Sequence, residues 1–150
     1  MSTDEKITKD LIQTLEDGKE GFAKAADRLK DTNRADLCAK FTEYSALREG
    51  FATELKSLAA QYGDQIDKSG TVAGTLHRGW MAIKDAVAGD SDPEGVLDAA
   101  EQGEDHAVAE YEKALQDSEI SNGLRTVVQR QYAAVKAAHD DVRNARNAAA

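Results

Sequence analysis

The side chains best suited to chemistry are scattered carboxylates and three histidines. Glu16 and Glu20 fall near the start of the chain, Glu49 further on, Glu101 and Glu104 in the acidic run EQGEDHAVAEY, and His139 near the end. Carboxylates that converge inside a helical bundle balance the charge of a metal pair, and imidazoles complete its coordination. The usual pattern takes one Glu from each of two helices and Glu-x-x-His from each of the other two. That pattern is incomplete here. Three residues before His77, His106 and His139 stand Gly74, Gly103 and Lys136, none of which supplies a carboxylate. The set that remains as a divergent site for a divalent metal such as iron is Glu16, Glu20, Glu49, Glu104 and His139. The interval from Glu16 to Glu49 suits two acids at similar heights in a hairpin. The competing reading of the same acids is a half-exposed acidic face or a set of buried ion pairs, and it implies no cofactor.

Arg48 falls among Tyr44, Leu47, Phe51 and Leu55, beside an apolar stripe. Two placements are open to it. Pointing inward it needs a carboxylate, because an unpaired buried charge is costly, and Glu104 is the expected partner. At a boundary it runs its stem along apolar surface and keeps its head in water. His77 in TLHRGW could belong to a ligand surface; the simpler role is a bond to a neighbouring backbone group or acid, with Trp80 closing the core. Cys38 is the single cysteine, so no intrachain disulfide forms, and LCAKF sets it among apolar positions as a structural thiol. Glycine-rich phosphate loops, CxxC pairs and nucleophile elbows are absent.

The elements that would position these residues are helices. Ile7, Leu11, Leu15, Phe22, Ala25 and Leu29 recur at helical spacing over about 4–30. Gly18 and Gly21 weaken that helix and permit a close neighbour. Ser2 and Glu5 have capping-box spacing. After the break DTNR, a second helix is expected over about 33–61, with Asn33 as N-cap and a stripe of Leu37, Phe41, Tyr44, Leu47, Phe51, Leu55 and Leu58. A polar linker, 63–70, leads to a shorter helix over 71–87. GDSDPEG then stops and restarts the chain, with Asp92 as cap and Pro93 at the first helical position. The fourth segment runs to about Asp117, and the last covers about 121–147. Two long hairpins joined by a long crossover that holds a short helix make a ferritin-like arrangement, with a plain up-and-down bundle carrying an appended helix as the alternative topology. The expected fold class is therefore an all-α, ferritin-like four-helix bundle, with residues 1–150 as one domain.

The bulk numbers agree with a helical protein and exclude some functions. Hydrophobic residues make up 41% and aromatics 5%, so the core must be built from Leu, Ala and Val. Nineteen Lys and Arg against 28 Asp and Glu give a net charge of −9, which repels a phosphate backbone and anionic lipid. No nucleic-acid partner is expected. No apolar run approaches a membrane span, and MSTDEKITKD has no apolar core segment of a signal peptide. The expected compartment is the cytoplasm, and no membrane partner is expected.

Four separated stretches carry a family resemblance: LIQTLEDGKEGFAKAA, TLHRGWMAIK, GEDHAVAEYEKAL and VVQRQYAAVKAAHDDVR. In this order they resemble the domain-of-unknown-function family DUF2383, over about Ile7 to Arg146. The resemblance implies a four-helix bundle of ferritin-like type in a bacterial cytoplasm, with a link to stress physiology. It carries no catalytic residues over. Set against the wider ferritin-like pattern, Glu49 matches the second-helix acid, Glu104 the acid of the fourth segment and His139 the last-helix histidine. Ala52 and Lys136 depart from it where a histidine and a ligand glutamate are expected. The expected function is a nonenzymatic bundle that associates with itself, with a homodimer as the partner state. The alternative is a metal-binding ferritin-like protein with a divergent carboxylate and histidine site.

Overall fold

The computed structural model describes residues 3–61 and 93–149, and these form four helices: α1 (Thr3–Leu29), α2 (Ala35–Ala60), α3 (Pro93–Gln116) and α4 (Asn122–Ala149). There is no strand among the described residues. The linker 63–70, the short helix over 71–87 with His77 and Trp80, the Asp92 cap and Ser2 of the proposed capping box lie outside them. Pro93 opens α3, where its missing N–H costs nothing and its fixed φ suits a first turn.

Local chemistry ends and restarts the helices. Thr32 closes α1: its backbone N–H and its hydroxyl both donate to the Leu29 carbonyl, at 3.0 and 2.6 Å. Its hydroxyl oxygen accepts from the Arg34 N–H at 3.1 Å, which turns the chain toward α2. The expected Asn33 cap is displaced by this turn. Arg34 holds the N-cap position and makes no side-chain cap bond. The first-turn acid Asp36 is clamped instead by the Arg34 guanidinium, which holds its carboxyl below the usual range. At the second turn Ser121 is the cap of α4, accepting from the Leu124 N–H at 3.3 Å. Arg125 donates back to the Leu115 carbonyl at 3.0 Å, so an orphan acceptor at the end of α3 is satisfied.

Each short turn makes an antiparallel hairpin, α1 with α2 and α3 with α4. The first residues of α1 reach the second turn: the Asp4 carboxylate accepts from the Ser121 N–H at 2.9 Å, and the Thr3 hydroxyl donates to Glu119 at 3.1 Å. Thus α1 begins where α3 ends, and α2 ends there too. Consecutive helices α2 and α3 therefore run parallel, and α3 begins at the opposite end of the bundle. Besides its hairpin partner, α1 packs against α3, and α2 lies along α4. Among what α1 and α3 bury are many small residues: Gly18, Gly21 and Ala25 on one, Ala99, Ala100, Gly103 and Ala107 on the other. Backbones lined in this way can approach closely. The α2–α4 seam is bridged by longer side chains, with the Tyr44 hydroxyl donating to Asp141 at 2.7 Å and an Arg130–Glu54 ion pair.

Among the described residues the apolar core forms two clusters. One surrounds Phe22, Leu29, Phe41, Tyr44, Leu97 and Val142, near the first turn. The other surrounds Leu11, Leu15, Leu55, Tyr111, Leu124 and Val128, near the second. The buried positions of α2 are Leu37, Phe41, Tyr44, Arg48, Ala52, Leu55 and Ala59. This differs from the stripe expected from the sequence. Leu47 is 44% exposed and Phe51 only half-buried, because the inward face runs through Arg48 and Ala52.

Candidate functional site: a polar layer between the two core clusters

Arg48 is buried, its side chain 3% exposed, and Glu104 of α3 is fully buried at 0%. Of the two placements open to the arginine, the inward one is found, with the expected partner. The guanidinium donates from Nη1 to Oε1 at 2.7 Å and from Nη2 to Oε2 at 2.5 Å, a two-pronged pair that engages both carboxylate oxygens. Its carbon lies 5.1 Å from the centre of the Phe22 ring, so α1 supplies a π face as well. Gly18 of α1 completes the surroundings: a Cβ there would stand 2.9 Å from Arg48 Nη1. Three helices therefore shape one ion pair. Every fully buried side-chain nitrogen and oxygen among the described residues has a hydrogen-bond partner, which is what a buried charge needs to be tolerated.

A second buried chain of polar groups lies beside it. Gln131 of α4 is fully buried. It accepts from the Tyr111 hydroxyl at 2.8 Å and donates to Glu54 at 2.9 Å and to the Phe51 carbonyl at 3.3 Å. Burial pushes the Tyr111 phenol well above its ordinary range, so it stays a neutral donor. The sequence pattern puts Tyr111 on the inward side of its helix, but Gln131 did not stand out. The signal was there in the spacing of Val128, Gln131 and Val135, which puts a glutamine on a core face.

The remaining acids are matched to other partners. Glu16 sits 3.0 Å from Lys56 and 4.0 Å from Lys19, and Lys19 also lies 3.6 Å from Glu49. The two acids expected at similar heights do meet, around a shared ammonium. Glu20 is exposed. Both ring nitrogens of His139 face carboxylates, Nε2 to Asp105 at 2.6 Å and Nδ1 to Asp140 at 3.1 Å. Glu101 is held by Arg143 at 3.3 Å and Arg146 at 2.8 Å. So the five residues Glu16, Glu20, Glu49, Glu104 and His139 fall into separate places: a lysine-bridged pair on α1 and α2, an exposed acid, the central ion pair, and a histidine on the α3–α4 seam. No group of three or more His, Cys, Asp or Glu side chains among the described residues is arranged to hold a metal ion.

Asp17 is the acid that sequence reasoning missed. It is 5% exposed, and burial is the main cause that pushes its carboxyl up to about 6. The Gln13 amide at 3.3 Å works in the other direction, and the nearby Glu20 and Glu16 raise it further. Nothing local separates Asp17 from the solvated acids around it. Cys38 is partly buried, with its thiol 3.3 Å from the Ala26 carbonyl, as expected of a structural position.

No helix among the described residues is long and apolar enough to cross a membrane. A family model described as Domain of unknown function (DUF2383) matches residues 5–117, which covers α1, α2 and α3. No curated protein matches the chain.

Proposed function

The chain belongs to the DUF2383 family, and from that premise we propose that it is a nonenzymatic, ferritin-like bundle that associates with a second copy of itself in the cytoplasm, in a role tied to stress. The single observation that carries the nonenzymatic reading is the Arg48–Glu104 pair. It sets a permanent cation at mid-bundle, between the two apolar clusters, where a metal-dependent bundle would collect its acids. A guanidinium cannot be deprotonated under working conditions. It repels a metal ion and occupies the carboxylate that would bind one. The ferritin-like type is supported by two antiparallel hairpins whose consecutive helices α2 and α3 run parallel.

Self-association is read from exposed apolar surface. Among the described residues Leu47 is the one exposed large hydrophobic side chain. Sedimentation at several concentrations tests it: a dimer is expected in the micromolar range, and a monomer throughout that range contradicts it. The competing metal reading is supported by His139 and Asp105, a nitrogen and an oxygen donor 2.6 Å apart on neighbouring helices. Metal analysis of protein purified without chelator separates the two. Less than one tightly held metal per chain is expected, and stoichiometric iron overturns the proposal.

A further inference from the structure

The internal register of each hairpin is set by its short turn. The register between the hairpins is a different matter. Around the middle of the bundle, much of what α1 and α3 bury is small: Gly18, Gly21, Ala25 and Ala26 on one, Ala99, Ala100, Gly103 and Ala107 on the other. At that level no large knob meets a unique hole, so the small residues there set the register weakly. The ties across the α2–α4 seam discriminate weakly. Tyr44–Asp141 and Arg130–Glu54 each keep a partner in water, and exposed bridges of this kind are readily exchanged. The Gln131 amide donates to a backbone carbonyl, which any turn of α2 offers, and to the partly exposed Glu54 side chain, which can follow it.

We propose that the Arg48–Glu104 pair, seated against Gly18, is the register key that fixes how the α3–α4 hairpin docks on the α1–α2 hairpin. Among the described residues it is the buried ion pair that joins the two hairpins at mid-bundle, while Asp4 and Thr3 tie α1 to the second turn only at the exposed end. A slide of α3 by one turn brings Ala100 or Val108 to the height of Glu104 and leaves a buried guanidinium without an acceptor, a heavy penalty. Glu101 does not replace it, since Arg143 and Arg146 of α4 hold it on the other seam. The Gly18 notch adds a second condition, because the space that its absent Cβ leaves is the space that Arg48 Nη1 fills. Replacing a buried ion pair by apolar side chains is often neutral for stability, whereas leaving one partner unpaired is costly, so this pair acts here against displaced registers.

The test is spin-label distance measurement on the full chain. Labels go on exposed Lys24→Cys of α1 and Gln102→Cys of α3 in a Cys38→Ser background, diluted with unlabelled protein. With Arg48 and Glu104 in place, a single narrow distance is expected. Arg48→Met with Glu104→Leu is expected to stay helical and to add a population displaced by about 5 Å, one helical turn. Amide NMR spectra of the unlabelled proteins give a second readout: one Gly103 resonance before the change and two after it. A single unchanged distance with a single resonance overturns the proposal. So does a double variant that fails to fold, since the pair would then be holding the bundle together rather than choosing its register.

Discussion

A Cβ placed on Gly18 would stand 2.9 Å from Nη1 of Arg48, closer than carbon and nitrogen comfortably come. The glycine of α1 and the arginine of α2 are thus two halves of one fit. Elsewhere in a helix a glycine costs roughly 1 kcal/mol relative to alanine. Here it keeps the space in which a charged head can lie beside Phe22 and reach Glu104.

Gly18→Ala therefore has an effect whose sign depends on residue 48. In the natural sequence it is expected to destabilise by about 1–2 kcal/mol, because the guanidinium must shift within a tightly packed two-pronged contact. With Arg48→Met already present, the clash is relieved and the same change is expected to stabilise by up to about 1 kcal/mol through helix propensity. Urea unfolding of the four proteins in a double-mutant cycle measures the coupling. Equal effects in both backgrounds would show that the two residues are independent.

Two phenylalanines on α2 separate the observed inward face from the one expected from hydrophobicity. Phe41 is 1% exposed and Phe51 only half-buried. Phe41→Ala is expected to cost about 3–5 kcal/mol and Phe51→Ala about 1–2 kcal/mol. Denaturant midpoints give both values, and a larger loss at Phe51 would mean that the helix face is turned the other way.

Asp17 links stability to pH. Its carboxyl rises from 3.8 to about 6 on folding, so the folded state holds this proton more tightly than the unfolded state. The stabilisation is complete below the unfolded value and is lost as pH rises through about 6. At pH 7 the buried charge is a burden. Asp17→Asn keeps the acceptor for Gln13, removes that burden, and is expected to raise stability at pH 7 by about 1–3 kcal/mol. The same change should flatten the decline between pH 4 and 6. Unfolding curves at three pH values check this, and a variant that is less stable at pH 7 would contradict it.

Most of the fold was legible in the sequence because long helices repeat their apolar residues many times. The helix bounds fell within a few residues of those expected, and Pro93 marked the start of α3 correctly. The phase of α2 was harder. Leu47 and Phe51 look like core by composition, yet the face turns by one position to bury Arg48 and Ala52. Leu37, Phe41, Tyr44 and Leu55 put positions 48 and 52 on the same face at helical spacing, and the contact between Arg48 and Glu104, 56 residues away, lets a charge stay there. The partner itself could be named in advance because so few inward carboxylates were available. The site was less legible. Glu16 and Glu49 do approach a common point, but Lys19, between them in space, determines what they do there. Asp17 gave no signal, since burial of an acid on a boundary face depends on packing rather than on residue type.

We propose that a protein cation, Arg48, closes the middle of the bundle to metal chemistry. Anaerobic titration with ferrous iron, followed by oxygen, tests it most directly. Di-iron oxidation needs two metals held by enough anionic ligands, with a position open to oxygen. Arg48 occupies both oxygens of Glu104, and Lys19 and Lys56 neutralise Glu16. The expected result is weak binding of at most one iron per chain and no rapid oxidation. Two irons bound per chain, with fast turnover that Glu49→Ala and Glu104→Ala abolish, would contradict the account.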